Sequence, residues 1–247
     1  MEMRLPAGFK AEDGTIQREF DVREMTGFDE EFLINNIKEG QEAKLDVLLG
    51  FAARMLTKLG TIEKITEADI KKLLVGDLTY ILFAVRVKSM GEELPFDISC
   101  PKCNMINNET VNLTALKVKR LEDTDEREFD VVLDEGYTDE NKVAHKKVRL
   151  RLLTVDDQLE VLKYTKTDPA RSINTCFTKA IIKFGDLAAV TPTILKGLLK
   201  RDRDKMMNKI TEKTPGVELT SDVICYNCGN KFNVSIGIEN FFVSKAK

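Results

Sequence analysis

Four of the five cysteines in the sequence fall into two Cys-x-x-Cys pairs, Cys100 with Cys103 and Cys225 with Cys228. In each pair the two thiolates flank a tight turn, so that both can bind one edge of a tetrahedral metal ion. Two such turns supply four sulfur ligands, which is the donor set of a structural zinc site. The pattern therefore predicts that these four cysteines hold one Zn²⁺ ion, in a closed site with no coordination position free for catalysis.

The two pairs are far apart in sequence, because residues 104–224 lie between them. A compact zinc site of this type places about one or two dozen residues between its pairs. Either the pairs meet across an inserted domain, or they are separate. A thioredoxin-like redox pair is an alternative, but it belongs where a strand leads into a helix, and both pairs here precede alternating apolar residues typical of strands. Unliganded buried cysteines are the other alternative.

Three further residues could do chemistry. Cys176 lies on an apolar face of a predicted helix, which favours a small core residue over a fifth ligand. His145 lies in a predicted polar loop and is interpreted as a solvated side chain. Asp202 falls on the apolar stripe of a predicted helix, which predicts a buried carboxylate in a structural ion pair with a partner such as an arginine.

The composition excludes several function classes. The 247 residues include 38 Lys and Arg against 41 Asp and Glu, and the formal net charge of −3 provides no global attraction for phosphates. A single histidine disfavours acid–base relays, and the sequence contains no phosphate loop, nucleophile elbow or HExxH motif. We therefore expect neither an enzyme nor a small-molecule substrate. The longest apolar run, Leu78 to Val85, is too short to cross a bilayer, and the N-terminus shows no signal pattern, which predicts a cytosolic chain without membrane insertion.

The elements that must position the cysteines indicate an α+β protein, a zinc ribbon interrupted by a large inserted β-hairpin and helical domain and preceded by a helical region. Four regions are predicted: an N-terminal arm and edge strand (1–27), a helical region (28–91), a discontinuous zinc-ribbon module (92–118 plus 216–247) and an inserted hairpin and three-helix region (119–215).

Local signals place the helices within these regions. Thr66 with Asp69 and Thr154 with Asp157 have the spacing of capping boxes, and Pro169 and Pro192 suit the first position of a helix. The pattern also predicts a helix break near Gly40, an interruption of the following helix at Gly76-Asp77 and a long polar hairpin loop from Asp134 to Lys147.

Two segments are predicted to bind partners. The loop-like arm from Leu5 to Gly14, which includes Phe9, is partly apolar. Adjacent aromatic residues in a strand point to opposite faces, so only one of Phe241 and Phe242 can pack on the ribbon if that segment is extended. The other ring then contacts a partner. The alternative places both rings inside the core.

Several short phrases of the sequence follow one another in a recognisable order. They are Leu5-Pro6-x-Gly8, Thr26-Gly27-x-Asp29-Glu30-Glu31, Gly76-Asp77, Ser89-x-Gly91, the first Cys-x-x-Cys, Asp202-Arg203, Pro215-Gly216, the second Cys-x-x-Cys-Gly and Phe241-Phe242. This order, over most of the chain, resembles the baseplate and hub-assembly proteins of contractile-tailed bacteriophages. One departure is Tyr226-Asn227 inside the second pair, where a proline is more usual.

The resemblance implies a non-enzymatic protein of tail assembly, either retained in the baseplate hub or acting there as an assembly factor. It implies other tail and baseplate proteins as partners, and the host cytoplasm as the place of assembly. A nucleic-acid-binding zinc ribbon of the transcription machinery is the alternative. That function needs a basic face with aromatic residues, whereas the ribbon strands offer only Lys102, Lys231, Tyr226 and Phe232, so we expect no nucleic-acid partner.

Overall fold

A computed structural model describes residues 2–11, 13–37, 44–122 and 127–242. Within these residues it contains eight α-helices and several small antiparallel sheets, so the predicted α+β class is confirmed. The chain divides into two compact units. Unit 1 comprises residues 1–70, 76–120 and 215–247, and unit 2 comprises residues 71–75 and 121–214.

The elements have the following bounds. The strands are β1 (Arg4–Lys10), β2 (Ile16–Val22), β3 (Leu56–Leu59), β4 (Glu93–Ser99), β5 (Ile106–Asn112), β6 (Val118–Lys119), β7 (Glu128–Thr138), β8 (Ala144–Arg151), β9 (Ile181–Phe184), β10 (Gly216–Val217), β11 (Thr220–Ile224) and β12 (Lys231–Ser235). The α-helices are α1 (Gly27–Asn36), α2 (Leu45–Met55), α3 (Glu67–Lys71), α4 (Val75–Met90), α5 (Val155–Thr165), α6 (Pro169–Ala180), α7 (Pro192–Gly197) and α8 (Lys200–Lys213).

The N-terminal segment of unit 1 is part of a sheet. Strands β1, β2 and β3 form a three-stranded antiparallel sheet with β2 in the centre, so the predicted loop-like arm is wrong, and so is the edge position of β2. The register of β1 shifts between Arg4 and Phe9, and there the carboxylate of Asp77 accepts hydrogen bonds from the backbone amides of Ala7 and Gly8. Because β1 pairs irregularly and two of its amides bind a side chain, its sequence shows little of the alternation of apolar and polar residues that identifies a strand.

Among the helices of unit 1, α3 begins at its predicted cap, whereas the start of α4 differs from the prediction. Thr66 and Asp69 form the predicted side-chain hydrogen bond in front of α3. The interruption before α4 lies at residues 72–74 instead of at Gly76-Asp77, because those two residues already belong to the first turn of the helix. The break predicted near Gly40 lies outside the described residues.

Helix α4 supplies much of the core of unit 1, and Leu78 and Leu82 are 1% and 0% exposed. Replacing either with Ala is expected to lower the free energy of unfolding by about 2–5 kcal/mol, because the lost transfer energy adds to the cost of a cavity. Urea denaturation followed by circular dichroism measures the change. Met90 at the end of the same helix is 43% exposed, so Met90→Ala is the control. An equal effect of all three substitutions would contradict the burial argument.

The two cysteine turns belong to two short hairpins of unit 1, β4–β5 and β11–β12. Between them the chain leaves unit 1 after residue 120 and returns at residue 215. Strands β6 and β10 pair at this point in antiparallel register, Val118 with Val217 and Lys119 with Gly216. This pairing brings the two ends of the intervening segment together.

Unit 2 contains a three-stranded sheet in the order β7–β8–β9. Its hairpin is longer than predicted, because β7 continues to Thr138 and pairs there with Ala144. The predicted loop from Asp134 to Lys147 is therefore wrong, and only residues 139–143 connect the strands. Gly136 lies with positive φ within a stretch of shifted register, which hides the alternation that identifies a strand.

The described residues of unit 2 form four further helices, one more than predicted. Three of them start at the predicted caps, with Asp157 in a capping box and prolines at the first turns of α6 and α7. Strand β9, which follows α6 directly, and the separate start of α8 were not predicted from the sequence. Helix α8 ends at Lys213, directly before the segment Thr214-Pro215-Gly216.

Candidate metal centre

The two cysteine turns have the same backbone geometry. In the first turn the amide of Cys100 donates to the carbonyl of Met105 at 2.8 Å, and the carbonyl of Cys100 accepts from Asn104 at 2.9 Å. In the second, the amide of Cys225 donates to Asn230 at 2.9 Å, and its carbonyl accepts from Gly229 at 3.0 Å. Asn104 and Gly229 both have positive φ, a conformation that favours Gly and tolerates Asn. The turns therefore repeat each other although their sequences differ.

The fold brings the two pairs together. The four sulfur atoms lie within 4.8 Å of one another, with Cys100 Sγ 3.7 Å from Cys228 Sγ and Cys103 Sγ 3.6 Å from Cys225 Sγ. A disulfide would need about 2.05 Å, and all four cysteines are free. A tetrahedron of thiolates about 2.3 Å from a central zinc ion has edges of about 3.8 Å. The four cysteines can therefore hold one metal ion.

The surroundings of the sulfur atoms favour thiolates unequally. Backbone amides of Cys228 and Asn227 outweigh burial and hold the pKa of the Cys225 thiol at about 6. The Cys228 thiol also receives a backbone amide, from Asn230, but burial and the neighbouring cysteines raise its pKa to about 11. A cation at the centre stabilises all four thiolates, since metal binding displaces the thiol protons.

A buried amide side chain that the sequence interpretation missed joins the two turns. Asn107 on β5 is fully buried, its Oδ1 accepts from the backbone amide of Tyr226 at 2.9 Å, and its Nδ2 donates to the carbonyl of Met105 at 3.0 Å. The Tyr226 hydroxyl donates to the carbonyl of Asn108 at 2.7 Å. A run of two asparagines in a strand is the only signal in the sequence, and it does not identify a partner.

The predicted partner of Asp202 is wrong. Asp202 is fully buried in the first turn of α8, but its carboxylate accepts hydrogen bonds from the backbone amides of Asp134, Glu135 and Gly136, at 2.7, 3.2 and 2.8 Å. The adjacent Arg203 binds the carbonyl of Leu195 and the side chain of Asn174 instead. The irregular part of β7 leaves three backbone amides available for Asp202. Their hydrogen bonds stabilise the buried carboxylate in the way that the predicted arginine would have done.

The ionised carboxylate of Asp202 is expected to stabilise unit 2 at pH values above the normal titration range of aspartate. Burial raises the pKa of Asp202, but the hydrogen bonds from the three amides have the larger combined effect, so the pKa lies below the ordinary aspartate value of 3.8. A lowered native pKa contributes stability above about pH 4, which is lost as the pH falls through the native value. At pH 7, Asp202→Ala leaves three buried donors without acceptors and is expected to cost about 2–4 kcal/mol.

Urea denaturation of the full chain at pH 7 and at pH 3 measures this effect. Asp204→Ala serves as the control, because Asp204 is exposed and pairs with Lys200 one helical turn away, and such surface pairs contribute about 0.5 kcal/mol. If Asp202→Ala lowered the free energy of unfolding at pH 7 as little as Asp204→Ala does, the hydrogen bonds from the three amides to Asp202 would not be stabilising.

Phe241 is the last residue of a 3₁₀ turn, Ile238–Phe241, and Phe242 follows it directly, so neither lies in a strand. Phe241 is 1% exposed and its ring packs edge-on against Phe83 of α4, whereas the partly exposed Phe242 ring lies 4.9 Å from that of Phe51 of α2. The strand argument that separates the two rings is therefore wrong here. Both rings contact the core of unit 1, which is the alternative that the sequence left open.

The other two predicted contact residues lie in β1. Leu5 is fully buried, which gives a partner no access to its side chain, and Phe9 keeps part of its surface exposed.

Cys176 is buried in α6, where burial raises the pKa of its thiol to about 11, as a core residue requires. His145 is buried in β8 instead of solvated, with Nε2 3.3 Å from Asp139 Oδ2 and Nδ1 accepting from the amide of Asp186.

The comparisons with known proteins agree with the resemblance noted in the sequence. The model of the family described as T4 bacteriophage base plate protein matches residues 55–243 of this chain, well over half of its length and all four clustered cysteines. No curated protein and no solved structure matches significantly. Among the described residues, no helix combines the length and the apolar character that a membrane span requires. On the family match, the chain belongs to the T4 bacteriophage base plate protein family.

Proposed function

We propose that this chain is a non-enzymatic structural or assembly protein of a phage baseplate hub, and that one Zn²⁺ ion bound by Cys100, Cys103, Cys225 and Cys228 stabilises it. The family match carries the first part of the proposal. The cluster of four cysteines carries the second, because a closed set of four thiolates is typical of structural zinc and leaves no position for a substrate.

The zinc ion would join segments that are distant in sequence. We propose that residues 92–118 and 216–247 form one zinc-ribbon module, into which residues 119–215 are inserted. The hairpins β4–β5 and β11–β12 each carry one cysteine turn, and the β6–β10 pair closes the insertion next to them. The residues present fit the ion in number, type and separation.

The proposed partners are other proteins of the phage tail, which assemble in the host cytoplasm into the baseplate of the virion. Phe9 and Phe242 keep part of their surfaces exposed and remain candidate contact residues, whereas the burial of Leu5 and Phe241 assigns those side chains to the core. The ribbon gives no support to nucleic-acid binding, since the hydroxyl of Tyr226 is bound to β5 and the ribbon strands also carry acidic residues, among them Glu109 and Asp222.

Two experiments test the two parts of the proposal separately. Native mass spectrometry of the purified chain should show the mass of one zinc ion, which a strong chelator removes. Affinity purification of tagged chain from phage-infected cells should recover tail or baseplate complexes that contain it. A chain without bound metal would contradict the zinc site, and a chain that is absent from all tail intermediates would contradict the assembly function.

A further inference from the structure

We infer that the side-chain amides of Asn227 and Asn230 position and stabilise the metal-binding thiolates of the first cysteine pair. Asn227 Nδ2 lies 3.7 Å from Cys103 Sγ, and Asn230 Nδ2 lies 3.9 Å from Cys100 Sγ. Both amides belong to the second turn and both sulfur atoms to the first. Each amide thus donates across the centre, from one half of the module to the other. This inference rests on the proposed metal site.

The chemistry of the centre explains why such donors matter. Four thiolates and one divalent cation leave a net charge of about −2 on the centre. Each N–H directed at a sulfur disperses part of this charge and holds the ligand in its orientation. If either amide were rotated by half a turn, its carbonyl oxygen would face the thiolate and repel it, so the charge of the centre selects the orientation with nitrogen towards sulfur.

The two turns differ in the N–H donors that they direct at the sulfur atoms. The positions that correspond to Asn227 and Asn230 in the first turn are Lys102 and Met105, neither of which carries an amide side chain. Lys102 instead contributes its backbone amide, 3.4 Å from Cys100 Sγ. Within the described residues, the N–H donor that the structure places on Cys103 Sγ is Asn227 Nδ2. Cys103 is therefore the ligand most dependent on a side chain of the opposite turn.

The test uses the full-length chain loaded with Co²⁺ or Zn²⁺ and three variants, Asn227→Leu, Asn230→Leu and the double substitution. Competition with a chelator should show metal binding about 10–100-fold weaker in the double variant, the range typical for loss of such outer hydrogen bonds. The sulfur-to-cobalt charge-transfer absorption should move to longer wavelength, because thiolates without N–H donors are richer in electrons. Asn227→Asp should bind metal more weakly than Asn227→Leu, since a carboxylate beside Cys103 adds repulsion.

Asn233→Leu is the matched control, because Asn233 on β12 donates to Asp222 and not to a sulfur atom. Unchanged affinity and an unchanged absorption band in the double variant would overturn the inference. Weaker binding with an unchanged band, or rescue by Asn227→Asp, would also overturn it by showing a packing effect. Failure of the wild-type chain itself to bind metal would be a different result, which removes the proposed zinc site and this inference with it.

Discussion

Removal of the proposed zinc ion from the folded chain is expected to open the hairpins β4–β5 and β11–β12 while the helices of unit 2 stay folded. These two hairpins bury few apolar side chains of their own, chiefly Leu94, Val111, Val223 and Val234. A structural zinc site in a small module contributes about 10–16 kcal/mol of binding free energy, far more than this core supplies. Limited proteolysis before and after chelation should therefore show new cleavage within residues 93–112 and 220–235.

The double variant Cys225→Ser/Cys228→Ser should reproduce the chelated state without a chelator. Its matched control is Cys176→Ser, which removes the fifth cysteine from α6 and should leave the zinc content at one ion per chain. Hydrogen exchange measured by mass spectrometry distinguishes the units, since protection should fall in the hairpins β4–β5 and β11–β12 and persist in α5 and α6. Unchanged protection after verified loss of zinc would show that the hairpins hold together by other contacts.

The cluster of four cysteines was predictable in part, because each of its two turns is a short segment of the sequence. A Cys-x-x-Cys turn needs only a few residues, and the helix caps at Thr66 and Thr154 likewise depend on a partner three positions away. The meeting of the two turns was left open by the sequence, since pairing across residues 104–224 is a property of the whole fold. The sulfur separations decide that question.

Features that depend on distant partners were not predictable. The carboxylate of Asp202 finds three backbone amides on β7, and no pattern near Asp202 identifies them. Asn107 joins two cysteine turns through hydrogen bonds to Tyr226 and Met105, although in the sequence it is an ordinary polar strand residue. His145 illustrates the same limit, because irregular pairing extends the hairpin over a stretch that is polar enough to suggest a loop.

Several of the short phrases that carry the family resemblance meet in space around α4. The carboxylate of Asp77 binds the backbone amides of Ala7 and Gly8, which joins the first phrase to the third. At the other end of the helix, Ser89 Oγ accepts from the amide of Met25, directly before Thr26. The side chain of Arg86 donates to the carbonyl of Gly91 at 2.7 Å. Much of the sequence order behind the family resemblance therefore reflects contacts that α4 makes within unit 1.

Gly76 provides the sharpest test of this interpretation. A Cβ atom built on Gly76 would lie 1.9 Å from the carbonyl oxygen of Pro215 and 3.0 Å from the Cα of Gly216, so backbone and not a flexible side chain blocks the space. Gly76→Ala should therefore force the first turn of α4 away from the Pro215-Gly216 segment. We expect a loss of at least about 4 kcal/mol in unfolding free energy, in the range that marks severe packing defects.

Gly27→Ala is the control for the cost of adding a methyl group at the start of a helix. A Cβ on Gly27, the first residue of α1, meets no atom within 4 Å, and Ala is the better helix former by about 1 kcal/mol. This variant should be neutral or slightly stabilised in urea denaturation, while Gly76→Ala should unfold at much lower urea concentration or fail to accumulate as folded protein. Should Gly76→Ala retain wild-type stability, the close approach of α4 to Pro215 and Gly216 would be wrong, and the shared phrases would need an explanation other than packing around this helix.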